Sequence, residues 1–187
     1  MNASKQLPII STIESERLIL RPITLDDAPA LFNYARDEIV TKFVPWQPHK
    51  TIANSIKFIE FLLSEYEARS ALMWAVQLRS DKTNTIIGTC GFIRYYEHTK
   101  CLEIGYAFNH KVWGKGYAKE ALLAVIKYGF EVTDTIRIEG SCVVDNIGSA
   151  KTMSSVGMQL EGISRSNFIK DGKVADCKIF CIIRSDV

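Results

Sequence analysis

Apolar positions along the chain follow two periods, and the order in which those periods alternate predicts the architecture. Residues 17–23 read as a strand, and Pro22 near its end suits a terminus or an edge, since proline lacks the N–H that an interior strand position donates. Thr24 followed by Asp27 resembles a capping box, and Ala28, Leu31, Phe32 and Ala35 continue at helical spacing. A second helix follows Thr51, with Ile52, Ile56, Ile59 and Leu63 as its expected buried stripe. Between the two helices, residues 42–50 carry Pro45, Trp46 and Pro48 and predict an ordered but irregular loop.

Period two then takes over. Strands are predicted at 73–78 and 85–95, joined by Ser80-Asp81-Lys82-Thr83-Asn84, polar turn chemistry that makes a hairpin. A third strand is expected at 101–108. A helix at 116–131, a strand at 136–143, a short helix at 147–156 and closing strands at 159–163 and 175–183 complete the series. A meander followed by strand-helix-strand-helix-strand predicts an α/β (α+β) fold, a mixed sheet with helices on both faces. No repeat, linker or low-complexity run divides the chain, so 1–187 reads as a single domain, with 1–13 as a flexible leader.

Composition narrows the function classes. With 47% apolar and 24% charged residues, the 187-residue chain has enough apolar surface for its own core, and a formal net charge of +2 with no Lys/Arg block gives no electrostatic case for nucleic acid or membrane. Cys90, Cys101, Cys142, Cys177 and Cys181 are odd in number and form no C-x-x-C pair, which points to no disulfide framework, no zinc site and a reducing cytoplasm. Neither a signal peptide nor a run of about 18 apolar residues is present. His49, His98 and His110 are scattered without metal or triad spacing, and no metal is expected.

Chemistry concentrates in residues 102–118, a strand feeding a glycine-punctuated turn at a helix start. Unpartnered N–H groups and the positive end of the helix dipole meet there, and Gly114 and Gly116 would let a polyanion approach the backbone closely. The dinucleotide pattern G-x-G-x-x-G fails at Lys119, and no G-K-[ST] triplet makes a P-loop. Two glycines before a helix also suit a plain tight turn. On the strand, Leu102, Ile104, Tyr106 and Phe108 alternate with Glu103, Gly105 and Ala107, so one face is bulky and the other thin enough to leave room for a ligand. Glu103 on the thin face is either a functional carboxylate or a structural one bonded to its neighbours.

An ordered series extends over nearly the whole chain. It comprises Glu16-Arg17-Leu18 with Leu20-Arg21, Pro45-Trp46-Gln47-Pro48-His49, Gly88 and Gly91, Glu103-Ile104-Gly105-Tyr106, and Trp113-Gly114-Lys115-Gly116-Tyr117-Ala118-Lys119-Glu120-Ala121. Asp145-Asn146, Ser149, Gly157-Met158, Glu161-Gly162, Asp171-Gly172 and Asp176 continue it. This series resembles the GNAT superfamily of N-acetyltransferases, and within it the branch of the ribosomal-protein N-terminal acetyltransferases RimJ and RimL.

The resemblance implies the GNAT fold: a mostly antiparallel sheet with a V-shaped split between two parallel strands, here 101–108 and 136–143, that takes acetyl-CoA. The pyrophosphate would rest on Lys111, Val112, Trp113, Gly114, Lys115, Gly116, Tyr117 and Ala118. Lys111 departs from the superfamily pattern Q/R-x-x-G-x-G/A but remains a cation beside phosphate. The resemblance further implies a bulge in the strand before the turn and a backbone donor near Ala107 or Phe108 for the thioester carbonyl, a contribution of about 3 to 4 kcal/mol to an oxyanion. It assigns Asn146 to the pantetheine arm, Ser149 to the departing thiolate and Trp46 to the acceptor entrance, while Glu103, from its place on the thin face of the strand, is the candidate acceptor of the amine proton and a substrate contact. Acetyl-CoA and an amine are the expected partners, the amine being most readily a protein or peptide N-terminal α-amine. A small-molecule amine and a non-catalytic acyl-CoA sensor are the alternatives. Homodimers are common in the branch, and no residue here requires one.

Overall fold

Leu72, Trp74 and Val76 project from one side of strand β3 (Leu72–Leu78) and Met73 and Ala75 from the other, and this alternation divides the core in two. Because β3 is buried on both faces, its sequence is an unbroken apolar run up to Gln77. The computed structural model describes residues 7–187. One core joins Leu18, Leu20, Phe92, Leu102 and Ile104 to Leu122, Val125 and Ile126 of helix α4 (Tyr117–Val132) and Met153 of α5 (Ile147–Ser155). The other lies under α1 (Ala28–Ala35) and α3 (Ile52–Ala68), with the short α2 (Glu38–Thr41) between them. Helices therefore cover both faces.

Eight strands form one sheet. The meander β1 (Ile13–Glu14), β2 (Leu18–Pro22), β3, β4 (Ile86–Tyr96) and β5 (Cys101–Phe108) is antiparallel throughout. Helix α4 then returns the chain so that β6 (Arg137–Val143) lies parallel to β5, and β8 (Lys173–Ile183) and β7 (Gln159–Lys170) follow in antiparallel order. The sheet is thus mixed and mostly antiparallel, with one parallel junction near its middle.

That junction is short. β5 and β6 pair only at Cys101–Arg137, Leu102–Ile138 and Glu103–Glu139, and beyond Glu103 the two strands diverge. Ile104 and Met153 occupy the wedge beside Gly140, where an added Cβ would come within 2.9 Å of Met153 Sδ and 3.0 Å of Ile104 Cγ2.

Four expectations change on folding. Leu7 is buried, its N–H donates to Arg69 O (3.1 Å), and Ser11 O accepts from Trp74 Nε1 (2.7 Å), so the supposed leader is anchored at Leu7 and Ser11 with Ile9 exposed between them, while 1–6 lie outside the described residues. Burial of Leu7, its backbone hydrogen bond and the indole hydrogen bond hold a segment that lacks any strand or helix period of its own. On α3 the expected stripe holds at Ile59, which is fully buried, and at Ile56 and Leu63, which pack against the core, but Ile52 is exposed, and Ser55 and Leu62 join the buried line while Phe58 and Phe61 line a cavity. The closing strands form a longer hairpin, in which register shifts between Leu160 and Gly162 and between Ser164 and Phe168 interrupt the alternation. The bulge falls on β4, where Ile93 is the extra residue between Phe92 and Arg94, and not on β5.

Candidate active site

The turn after β5 is built almost entirely from its own residues. Asn109 Oδ1 accepts the Lys111 N–H (3.0 Å), a 3-10 turn spans His110–Val112, and Trp113 Nε1 donates to Phe108 O (2.9 Å). Gly114 (φ 76°) and Gly116 (φ 79°) adopt left-handed backbone, which side chains disfavour. Gly116 is the N-cap of α4 and its carbonyl accepts from Glu120 N (3.0 Å), so the amides of Tyr117, Ala118 and Lys119 have no acceptor within the helix. No neighbour lies within 4 Å of a Cβ placed at Gly114, and at Gly116 only Arg17 Nη2 does, at 3.4 Å. This open run of amides at the positive end of a sixteen-residue helix suits a pyrophosphate.

Arg17 and Glu120 hold that turn against β2. Glu120 Oε2 receives Arg17 Nε and Glu120 Oε1 receives the Arg17 N–H, each at 2.7 Å, while Ser15 Oγ adds a third hydrogen bond at 2.7 Å. These donors together hold the Glu120 carboxyl below its ordinary value despite its desolvation. Arg17 Nη1 also reaches Lys115 O (3.1 Å), and its guanidinium stacks 4.7 Å from the centre of the Tyr117 ring.

Where β5 and β6 part, a cavity of about 530 Å³ opens and runs beneath the 42–50 loop. Gly105, Tyr106 and Ala107 line one wall, and Ser141, Cys142, Val143, Asn146 and Ser149 the other. Asn109 N–H donates to Ile87 O (2.9 Å) on the β4 side, so by strand alternation the Ala107 amide faces β4 and the Phe108 amide faces the split. Asn146 Oδ1 accepts the Ser149 N–H (3.1 Å), the N-cap of α5.

Tyr106 was legible only as one more bulky residue of β5. Its hydroxyl lies 2.8 Å from Ser149 Oγ and 3.2 Å from Ser149 O, bridging the split, and when its one proton goes to Ser149 Oγ the serine proton is free to point into the cavity. Burial pushes this phenol well above its ordinary value, so it stays protonated.

Glu103, Trp46 and His49 line the same cavity. Tyr96 Oη donates to Glu103 Oε2 (2.9 Å), and Arg94 Nη1 lies 3.9 Å from that oxygen. His49 lacked any sequence spacing to recommend it; its signal was only its place in the proline-bounded loop. The fold sets its ring 5.4 Å from that of Trp46 and 6.2 Å from that of Phe58, with Nδ1 2.8 Å from Ser55 Oγ. Burial lowers its pKa from 6.5, so the ring is neutral at neutral pH. His110 lies in the turn after β5 with Nδ1 2.6 Å from Asp37 Oδ2, and His98 sits apart in a 3-10 turn. Among the described residues no group of three or more His, Cys, Asp or Glu could hold a metal ion.

The roof of the cavity is tied down by the β7–β8 hairpin. Lys170 Nζ donates to Thr41 O (2.6 Å), Val44 O (3.1 Å) and Trp46 O (2.8 Å), and Gln47 Nε2 donates to Asp171 Oδ1 (2.7 Å).

A split parallel pair beside a helix-start anion cradle, with a cavity leading from it, is the arrangement the GNAT resemblance implies for an acyltransferase. Residues 17–159 match the family model of the acetyltransferase (GNAT) domain, and the chain belongs to that family. It is 30% identical to YoaA, an uncharacterised N-acetyltransferase of Bacillus subtilis, over 92% of this chain and 96% of that protein. A GNAT acetyltransferase of Bacillus anthracis superposes with a TM-score of 0.82 at 28% identity, covering 94% of this chain and 99% of the other. RimL, a ribosomal alpha-N-protein acetyltransferase crystallised with coenzyme A, superposes at 0.82 over 95% and 100% of the two chains, and at 21% identity that likeness speaks for the fold alone. The chain is an acyl-CoA-dependent N-acetyltransferase. No helix among the described residues is long and apolar enough to cross a membrane.

Proposed function

We propose that the enzyme acetylates a protein or peptide N-terminal α-amine by direct attack of the free amine on acetyl-CoA in a ternary complex, in the cytoplasm. Bound acetyl-CoA supplies an activated acetyl group on a thiol of tolerable leaving ability. The residues 111–118 hold its pyrophosphate, Asn146 its pantetheine arm, and the Phe108 amide, rather than that of Ala107, its carbonyl. Ser149 donates toward the departing sulfur, and Tyr106 orients Ser149. Glu103 accepts the amine proton, directly or through water.

One observation carries the choice of acceptor: Glu103 is the only carboxylate on the cavity lining, and it already accepts a hydrogen bond from Tyr96. Deprotonating a lysine side chain at neutral pH costs about 3.5 kcal/mol more than deprotonating an α-amine, from reference values near 10.4 and 7.8. A single partly engaged carboxylate offers little to offset that difference. A small-molecule amine is the second reading, and the tethered roof over the cavity favours it.

The test compares kcat/KM for one peptide with a free N-terminus and blocked lysine against its converse. A lysine preference overturns the α-amine reading. Cofactor binding without transfer to any amine would make the chain a sensor.

A further inference from the structure

The acceptor end of the cavity has a composition that the reaction itself does not require. Phe43 and Trp46 of the loop, Leu31 of α1, Phe58 and Phe61 of α3 and Phe168 of β7 meet there. Five of these six side chains are aromatic. The neutral polar groups there are Tyr34, His49, Thr89 and Asn167, and the others on the lining, Tyr106, Ser141, Asn146 and Ser149, belong to the split between β5 and β6. Glu103 is the only charged residue on the whole lining, with no Lys, Arg or Asp among the described residues that form it. The cavity, about 530 Å³, must also admit the thioester end of the cofactor, which limits the acceptor to a compact group.

From this lining we infer that the acceptor is a primary amine carried on a compact aromatic or branched apolar group that bears no second charge. The inference rests on the N-acetyltransferase reading and narrows its substrate class. One ammonium finds one carboxylate, Glu103. A second ammonium, as in a polyamine or aminoglycoside, finds none, and a carboxylate next to the amine finds no cation on the lining, Arg94 standing outside it 3.9 Å from Glu103; either charge would lose its water against aromatic walls without a partner on the lining. An apolar group of phenyl size exchanges water for those walls, which is worth roughly tenfold to a hundredfold in binding. A chain terminus beginning with Phe or Leu and a free arylalkylamine share this chemistry.

The experiment follows acetyl-CoA-dependent thiol release by the full chain. The acceptors are peptide amides that differ only in a first residue of Phe, Leu, Ser or Glu, together with 2-phenylethylamine and spermidine. The expected result is kcat/KM at least about tenfold higher for the Phe and Leu peptides or for 2-phenylethylamine than for the Ser peptide, with the Glu peptide and spermidine lowest. The Phe peptide leading identifies a chain terminus as the source, and 2-phenylethylamine leading identifies a free amine. Phe168→Ala and, separately, Trp46→Ala should each shrink the Phe-over-Ser ratio while leaving CoA affinity unchanged. The Ser or Glu peptide or spermidine matching the apolar acceptors overturns this inference and leaves the enzyme an acetyltransferase. Acetyl-CoA binding with no acceptor used overturns both.

Discussion

Arg17 Nε lies 2.7 Å from Glu120 Oε2, and through this pair the chain entering β2 holds the first turn of α4, the helix that follows the glycine turn. The two residues are far apart in sequence, yet Arg17 also reaches Lys115 O and stacks on Tyr117, inside the turn itself. The ion pair is partly exposed, and its consequence is positional more than energetic.

Arg17→Ala should therefore raise the Kd for CoA severalfold while shifting the unfolding midpoint little. Titration calorimetry and thermal unfolding on the same preparation check this. Loss of stability without loss of CoA affinity would make the clamp a purely structural one.

Gly116→Val should weaken CoA binding more than it weakens folding. The φ of 79° disfavours a β-branched residue, and the added side chain would enter the open side of the turn near Arg17. Unchanged CoA affinity in folded variant protein would remove this turn from the cofactor site.

Ser149→Ala should lower kcat by roughly tenfold or more, with CoA affinity kept, if its hydroxyl serves the leaving thiol. Tyr106→Phe should produce a smaller fall. The double variant should be no slower than Ser149→Ala alone, because Tyr106 acts through Ser149 at 2.8 Å. Additive losses in the cycle would assign Tyr106 an independent contact with the reactants.

His49 gives a pH signature. Its folded pKa lies below 6.5 because the ring is desolvated, so between the two values the unfolded chain binds the proton more readily and stability rises with pH. The contribution is complete above 6.5 and is lost as pH falls through the folded value. Denaturant unfolding should show the stability loss on acidification below 6.5 lessened in His49→Gln, which can still hydrogen-bond Ser55. Identical slopes in the two proteins would show that burial does not hold this ring neutral.

Much of the site was legible where function depends on backbone conformation written into local sequence. Gly114 and Gly116 announce left-handed turns, and Asn146 announces a helix cap, because those preferences belong to single residues. Glu103 was legible as the one polar side chain on the thin face of β5, since strand alternation has a fixed period. Tyr106 was not, because its residue type and position equally describe a core aromatic, and only α5 folding across the split brings Ser149 to its hydroxyl.

By itself, then, the sequence determined the order of the longer strands and helices, though not the two-residue β1 or the single turn α2, together with the capped starts of α3 and α5 and the glycine turn before α4, all of which follow from interactions within a few residues. Only the tertiary structure decided how far β5 and β6 pair before parting, and that His49, Glu103 and five aromatic side chains of the 42–50 loop, α3 and β7 share one cavity. Those outcomes depend on contacts between residues distant in sequence, such as Ile104 and Met153 filling the wedge beside Gly140 and Lys170 binding the carbonyls of the loop. Such contacts leave no period or spacing along the chain to be read.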